Sequence, residues 1–323
     1  MQRVSLVNAD VAFDADSAIP GARNQCWVTS LCILLGPMAR EEIRRELKGI
    51  ESIAAIGLSH LVEAGLRLAR ADRVVFPGHR VLTTSLYEED EVERLCALKY
   101  PGRAVVLRSL NTHYHADILA QGGTLWPVRL VWIIDDVARD WRPRRDARRD
   151  LHALENLGLA RGRYRGTMPA TVLDQVLILY RRLYIDRYSR HNPDYTADYV
   201  RAMLADGTLQ ILTLERGGKI EAFCALHRRG RVLSVPMVGY DLDIKDLYRA
   251  VMALPALEAE RLGLALNLSA GAGRFKRHRG ASAHVEYLLI LDDHLPVWRR
   301  LAYRATARLL KTLEPQLIRA ATR

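Results

Sequence analysis

Cysteine, phenylalanine and long apolar runs are all scarce in this chain, and each scarcity removes a class of function. Four cysteines (Cys26, Cys32, Cys96, Cys224) are scattered over 323 residues with no CxxC spacing. Buried thiols in a reducing compartment are therefore the expectation. With no Cys/His cluster at zinc-ligand spacing, no metal site is expected either. Aromatic residues make up 7% of the chain, too few for the stacking surfaces that hold single-stranded nucleic acid, and no recognised nucleic-acid motif is present. The longest apolar stretches, such as 173–179, fall far short of the ~20 residues that cross a bilayer. The opening residues MQRVSLVNADVAFDADS lack the charged-then-apolar pattern of a signal peptide. A soluble, cytoplasmic protein with no membrane span is the expectation. No Walker or Rossmann loop and no Ser/His/Asp or Cys/His arrangement stands out.

Positive charge is what the chain has in excess. It carries 48 Lys plus Arg against 37 Asp plus Glu, a net charge of +11. The arginines crowd into runs such as Arg142–Arg149 (RPRRDARR) and Arg274–Arg279 (RFKRHR). Such a balance raises the local concentration of anionic partners: nucleic acid, a phosphorylated cofactor or an acidic carrier protein. It also follows from a GC-rich genome. Apolar residues at 49% and charged residues at 26% are ordinary for a folded chain, and this length suggests two domains of about 150 residues.

Periodicity predicts helices at 39–48, 59–71, 88–98 and 114–120, and strands at 73–76, 80–84, 102–108 and 128–134. Between 140 and 166 the apolar pattern fades into charge, which suggests a helix plus connector and a boundary near residue 165, dividing the chain into 1–165 and 166–323. Beyond it the spacing predicts a long helix over 172–188 and a helix over 197–204. Strands at 209–215, 220–228 and 232–238 follow, joined by short turns at Gly217-Gly218 and Arg229-Gly230. A helix over 246–262 should be kinked or divided by Pro255 and ended by Gly263. Strands at 264–268 and 284–291 lead to a basic helical segment, 296–323, broken near Pro315. Helix, three-stranded meander, helix, strand, strand is a mixed α/β order, unlike the strict alternation of a doubly wound sheet.

The densest chemistry lies in 264–280, LALNLSAGAGRFKRHRG. A strand carrying Asn267 runs into Ser269, Gly271 and Gly273, then into Phe275, Lys276 and Arg279. Small residues let a backbone approach a ligand and offer N–H groups to an anion, and Lys and Arg add charge for a phosphate or a developing oxyanion. The same pattern also describes a glycine-rich turn before a solvated basic stretch. Glu286 and Tyr287 interrupt an apolar strand. Either Glu286 faces inward, where burial would raise its pKa toward that of a useful base, or simple alternation places it in solvent. Tyr240 and Asp241 follow a strand end, where ligands bind and turns also occur. Tyr180, Tyr184 and Tyr188 recur every four residues, a core pattern. His113 and His115 lie two apart and are poor joint ligands.

Several of these segments carry a resemblance. Leu179–Pro193 (LYRRLYIDRYSRHNP), Pro236–Asp241 (PMVGYD), Leu247-Tyr248-Arg249, Asn267–Gly280, Glu286-Tyr287 and His294-Leu295-Pro296 together resemble the FemAB-like branch of the GNAT superfamily. Phe275-Lys276 followed by Gly280 looks like the element that closes the acceptor site in those transferases. Arg80–Leu86 and Tyr100–Asn111 look like the degenerate first module of tandem members. The resemblance implies two GNAT-like modules, each a mixed, mostly antiparallel sheet flanked by helices, with the C-terminal one catalytic. It implies an N-acyltransferase in which an amine attacks a donor carbonyl directly. Lys276 would stabilise transition-state charge, Glu286 or the substrate would take the ammonium proton, and Tyr240 or Tyr287 would protonate the leaving group. Tyr240, Asp241, Asn267, Ser269, Gly271, Gly273, Phe275 and Arg279 would bind substrate. The coenzyme A loop of acetyltransferases should follow Val238, where the sequence reads GYDLDIKDLYRA instead. The donor is then acyl-CoA, a phosphopantetheinyl carrier protein or charged tRNA, no cofactor is tightly bound, and the acceptor is a small-molecule amine. A tRNA-dependent aminoacyl transferase acting on a peptide or cell-wall precursor, and a non-catalytic binding module, are the alternatives.

Overall fold

The computed structural model of the chain describes residues 74–75, 101–102, 104–120, 123–188 and 195–322. The helices expected at 39–48, 59–71 and 88–98, the strand at 80–84, and Cys26, Cys32 and Cys96 lie outside the described residues. The chain is mixed α/β, with mostly antiparallel sheet and flanking helices. Its contacts define two compact units. Unit 1 comprises 1–79, 85–130 and 284–323, and unit 2 comprises 80–84 and 131–283. Residue 165 thus falls inside unit 2, and the charged stretch before it is a helix of that unit.

In unit 1, β1 (Val74–Val75) pairs parallel with β2 (Ala104–Asn111), and β2 pairs antiparallel with β9 (Ser282–Leu291). The short α1 (Ala116–Ala120) lays Ile118 against Leu107, Leu110 and Leu289. β3 (Thr124–Ile134) begins in this unit. There the Trp126 indole donates to the Tyr303 carbonyl at 3.0 Å, anchoring α7 (Val297–Thr322). Contrary to expectation, α7 continues through Pro315. A proline removes one N–H from the ladder, and the neighbouring turns carry the helix past it.

Unit 2 holds the end of β3, then α2 (Arg145–Asn156), β4 (Ala160–Tyr164), α3 (Ala170–Arg181), α4 (Ala197–Ala205), β5 (Gln210–Arg216), β6 (Lys219–Arg229), β7 (Val232–Tyr240), α5 (Leu247–Leu262), β8 (Ala265–Asn267) and α6 (Gly273–Arg277). Its strands stand in the order β3-β8-β7-β6-β5-β4. Gly217 and Gly218 both take positive φ (56° and 79°) in the β5–β6 turn, the conformation a tight two-residue hairpin needs. β6 is buried from Ile220 to His227 without alternation, as befits a strand covered on both faces, and α3 and α5 both pack on β6 and β7. α3 gives way to a π-helical turn, Arg182–Tyr188, so the expected long helix is two pieces. Pro255 is buried within α5 without dividing it, and Gly263 ends the helix at φ 63°. β4 was not expected as a strand. Its sequence ARGRY carries two arginines and no branched aliphatic side chain, which suits an edge.

One acid ties that edge to the core. Glu258 on α5 accepts both guanidinium nitrogens of Arg163 from β4 (2.8 and 2.7 Å) and a second fork from Arg261 (3.0 and 2.9 Å). These hydrogen bonds hold its carboxyl at about 2, against an ordinary 4.5. A depressed carboxyl stabilises the fold above its unfolded pKa and ceases to do so as pH falls through its folded one. Wild-type stability should therefore drop between about pH 4.5 and about pH 2. Glu258→Gln should lose about 2 kcal/mol at neutral pH, the half-exposed arginines discounting the full shift. Denaturant melts across that pH range check both, and a Gln variant as stable as wild type at pH 7 would contradict the assignment.

Candidate active site

The strands of unit 2 part at one place. β7 and β8 run parallel and pair over three positions, Val232 with Ala265, Leu233 with Leu266 and Ser234 with Asn267. β7 continues to Tyr240, whereas the chain after Asn267 leaves it and follows β3, with the Leu268 N–H donating to the Trp132 carbonyl (2.8 Å) and the Trp132 N–H to the Ser269 carbonyl (3.2 Å). At the same level β7 bulges. Its partner register on β6 moves from Ala225↔Met237 to His227↔Ser234, setting Val235 and Pro236 opposite Leu226 alone. A bulge also explains how a proline can occupy an interior strand. Pairing between β7 and β8 thus ends at Ser234.

The loop leaving β8 is held in an unusual shape. Ser269 and Ala272, neither of them glycine, adopt φ of 60° and 49°, and Gly271 lies at 76°. L-residues rarely take that region, and a structure sustains it where the surroundings enforce it. Ser269 donates its Oγ to the Val235 carbonyl (3.1 Å), bridging the parted strands, and its N–H to Asn267 Oδ1 (2.8 Å). Lys276 is buried, and its Nζ donates to the carbonyls of Leu268 (2.6 Å), Ser269 (3.1 Å) and Ala270 (2.7 Å). An ammonium has three donors, and these three carbonyls engage them.

An aromatic and ionic chain fixes α6 behind this loop. The rings of Tyr240 and Tyr248 lie 5.2 Å apart and those of Tyr248 and Phe275 4.7 Å. The Arg279 guanidinium sits 3.2 Å from the Phe275 ring centre and donates to the Phe275 carbonyl (2.8 Å). Arg279 also forks onto buried Asp150 of α2 (2.5 and 2.6 Å), which takes a further bond from Arg249 (3.0 Å). Burial pushes the Asp150 carboxyl upward while the two guanidiniums pull it down. Gly280 follows at φ 90°, where a Cβ would run into the Asp140 carbonyl.

The turn after β7 is polar and braced. Asp241 donates its N–H to the Glu221 carbonyl (2.8 Å), accepts the Asp243 N–H (3.1 Å) and faces Lys219 (3.3 Å). The Asp243 N–H first, then Lys219 and Arg182, draw its carboxyl below the usual range. Beside it an open cavity of about 450 Å³ is lined by Arg182, Asp186, Arg187 and Leu242. Gly239 is obligatory here, since a Cβ would strike Phe223 and come within 3.0 Å of the α3 backbone.

Of the residues singled out in the sequence, Tyr240, Asp241, Asn267, Ser269, Gly271, Gly273, Phe275, Lys276 and Arg279 all lie in unit 2. Glu286 and Tyr287 lie on β9 in unit 1. Glu286 is 1% exposed, so the inward orientation holds and the alternation reading does not. Asp150 was not singled out, and Tyr248, Arg182 and Arg187 stood only within segments of the resemblance, with no role given. Asp150 had a legible signal, because Ala147, Asp150, Ala153 and Leu154 form the buried stripe of α2 and put an acid at a core position. Among the described residues, no group of three His, Cys, Asp or Glu could hold a metal ion, and no helix is long and apolar enough to cross a membrane.

Comparison with known proteins places this geometry. Residues 142–277, from the start of α2 to the end of α6, match the acetyltransferase (GNAT) domain family. The C-terminal domain of a protein assigned as a lysylphosphatidylglycerol synthetase from Agrobacterium fabrum is similar in structure at 13% identity, with a TM-score of 0.50, over 74% of this chain and 81% of that one. L-PGS from Bacillus licheniformis is similar at 16% identity and a TM-score of 0.46, over 63% and 73%. FemX is similar at 10% identity and a TM-score of 0.43, over 59% and 73%. No curated protein matches the sequence. The family match covers the part of unit 2 just described, and the fold of the chain is similar to that of the Agrobacterium domain.

Breaking the Asp150–Arg279 pair should be costly, since it leaves one buried charge uncompensated. Arg279→Met and Asp150→Asn should each lower stability by about 3–5 kcal/mol, and the double variant should recover part of that loss. Thermal and denaturant melts of the three variants test this. Additive losses in the double variant would show that the two side chains do not act as a pair.

Proposed function

We propose that this chain is an acyltransferase that moves an acyl group from an activated, anionic donor to an amine. The observation that carries the reading is the parting of β7 and β8 at the Val235–Pro236 bulge. It ends the β7–β8 pairing beside a clamped, positive-φ loop, where a donor carbonyl could enter and backbone N–H groups could meet its developing oxyanion. The amine nitrogen attacks the donor carbonyl carbon, forming C–N while the carbonyl electrons move to oxygen. Collapse then breaks the bond to the leaving sulfur or oxygen. The ammonium loses a proton to a base, and the leaving group gains one. Tyr240, half-buried against Tyr248, is the candidate to protonate the leaving group. Lys276 acts through the 268–270 carbonyls that it gathers, as a positioning residue that keeps the loop in shape. Glu286 and Tyr287 keep the proton-transfer roles that the family resemblance gives them, to be tested by substitution.

The donor reads as a polyanion. Arg182 and Arg187 line the cavity beside the β7–α5 turn, and the chain carries +11 overall. Acyl-CoA and a phosphopantetheinyl carrier protein satisfy this, and the cytoplasm supplies both. Aminoacyl-tRNA satisfies it equally. That second reading draws support from the resemblance to FemAB-like transferases, whose donor is charged tRNA, and from the fold shared with the Agrobacterium domain, which belongs to a protein assigned as a lysylphosphatidylglycerol synthetase.

Turnover of a panel of acyl-CoA, acyl-carrier and aminoacyl-tRNA donors with mixed amines decides among these. Tyr240→Phe should lower kcat by about a hundredfold, the usual worth of one positioned acid, with little change in melting temperature. Lys276→Ala should lower both. Full activity in Lys276→Ala would remove the clamped loop from the mechanism, and no turnover with any donor would leave a non-catalytic binding module.

A further inference from the structure

A second polar constellation sits in unit 1 and is built by a strand irregularity. β2 pairs with β9 in one register at Val105↔Leu291, Val106↔Ile290 and Leu107↔Leu289, and in another at Leu110↔Tyr287 and Asn111↔Glu286. The extra residue lies on β2, where buried Ser109 takes φ 61°. Without this bulge Asn111 would face Val285. With it, Asn111 stands directly opposite Glu286, and directly opposed residues point from the same face of a sheet about 5 Å apart.

The Asn111 amide has a fixed orientation. Its Oδ1 accepts the N–H groups of His113 (3.1 Å) and Tyr114 (3.0 Å), and its own N–H donates to His115 Nδ1 (3.2 Å). That bond requires an unprotonated Nδ1 on His115, whose pKa burial lowers to about 4. The amide nitrogen of Asn111 is thereby turned away from the turn. The side chain is 0% exposed, and its Nδ2 meets no hydrogen-bond partner among the described residues. Buried donors are rarely left so, because the lost hydration is costly. Glu286 across the ladder is also buried. His284, two residues before Glu286 and so on the same face, packs at a tilt against His113 with 4.6 Å between ring centres. Exposure falls along the group. His113 is exposed, His284 is half-buried, and Asn111 and Glu286 lie at the base.

We propose that Asn111 and Glu286, entered past His113 and His284, form a binding site for a primary amine with a neighbouring oxygen, the chemistry of an amino acid or an amino alcohol. The carboxylate receives the ammonium in a charge-assisted bond, and the Asn111 Nδ2 donates to the neighbouring oxygen. The inference is argued from unit 1 geometry alone; it shares Glu286 with the acyltransferase reading, but its test uses no acyl donor. It names a ligand of the class that such an enzyme would take as acceptor.

The test is calorimetric titration of the full chain, without any acyl donor, with L-serine, ethanolamine and n-propylamine. Serine and ethanolamine should bind saturably, and propylamine, which lacks the oxygen, at least tenfold more weakly. Glu286→Gln should weaken the first two at least tenfold, and Asn111→Ser should bring ethanolamine down to the level of propylamine. Melting curves confirm that each variant folds. If Asn111→Ser does not, the ligand series on wild type and Glu286→Gln decide. Absence of saturable binding by any amine, equal affinity for propylamine, or unchanged affinity in Glu286→Gln would overturn the proposal. None of these outcomes touches donor turnover, so the two readings fail separately.

Discussion

The buried pair between Arg279 and Asp150 is the constraint on which the architecture of the candidate site in unit 2 depends. α6 is five residues long, too short to hold a fixed orientation by its own hydrogen bonds. Arg279 supplies that orientation by bonding to Asp150 on α2, to the Phe275 carbonyl and to the Phe275 ring at once. Removing two charges from water is unfavourable in itself, and the fork geometry with a third bond from Arg249 is what makes the arrangement sustainable. Phe275, once placed, packs at a tilt on Tyr248, and Tyr248 likewise on Tyr240. The position of a tyrosine at a strand end is thus set by an aspartate on a helix ninety residues earlier.

The same α6 carries Lys276, whose ammonium draws three successive carbonyls toward one point. Carbonyls that converge on a cation force the backbone between them out of extended geometry, which accounts for the positive φ at Ser269, and Gly271 and Ala272 complete the turn into α6 at positive φ. The strained loop in turn keeps β8 from continuing along β7. A bulge, a short strand and a clamped loop therefore act together. Each departs from ideal geometry, and together they open a mostly antiparallel sheet at one point.

Much of this was legible in the residues. The β5–β6–β7 meander followed from Gly217-Gly218 and Arg229-Gly230, and the end of α5 from Gly263. The GNAT resemblance rested on the 267–280 segment that the structure shows to be the clamped loop and α6. What could not be read had physical causes. β4 is an edge strand of arginines stabilised by Glu258, so its apolar period is absent. The division into units follows contacts that return late in the chain, at 284–323, and no local composition marks them. Pro255 and Pro315 lie inside continuous helices because the rest of each ladder outweighs one missing donor. Pro236 in a strand was a legible sign of the β7 bulge. Glu286 faces inward because the β2 bulge sets it opposite buried Asn111, a register that no local pattern in β9 announces.

Hydrogen exchange of the full chain tests the central claim most directly, measured free, with coenzyme A and with charged tRNA. If the parted strands are the donor site, one of these ligands slows exchange in 235–241 and 268–273 together. Slowing by neither ligand in those segments, or slowing confined to other parts of the chain, would contradict the account.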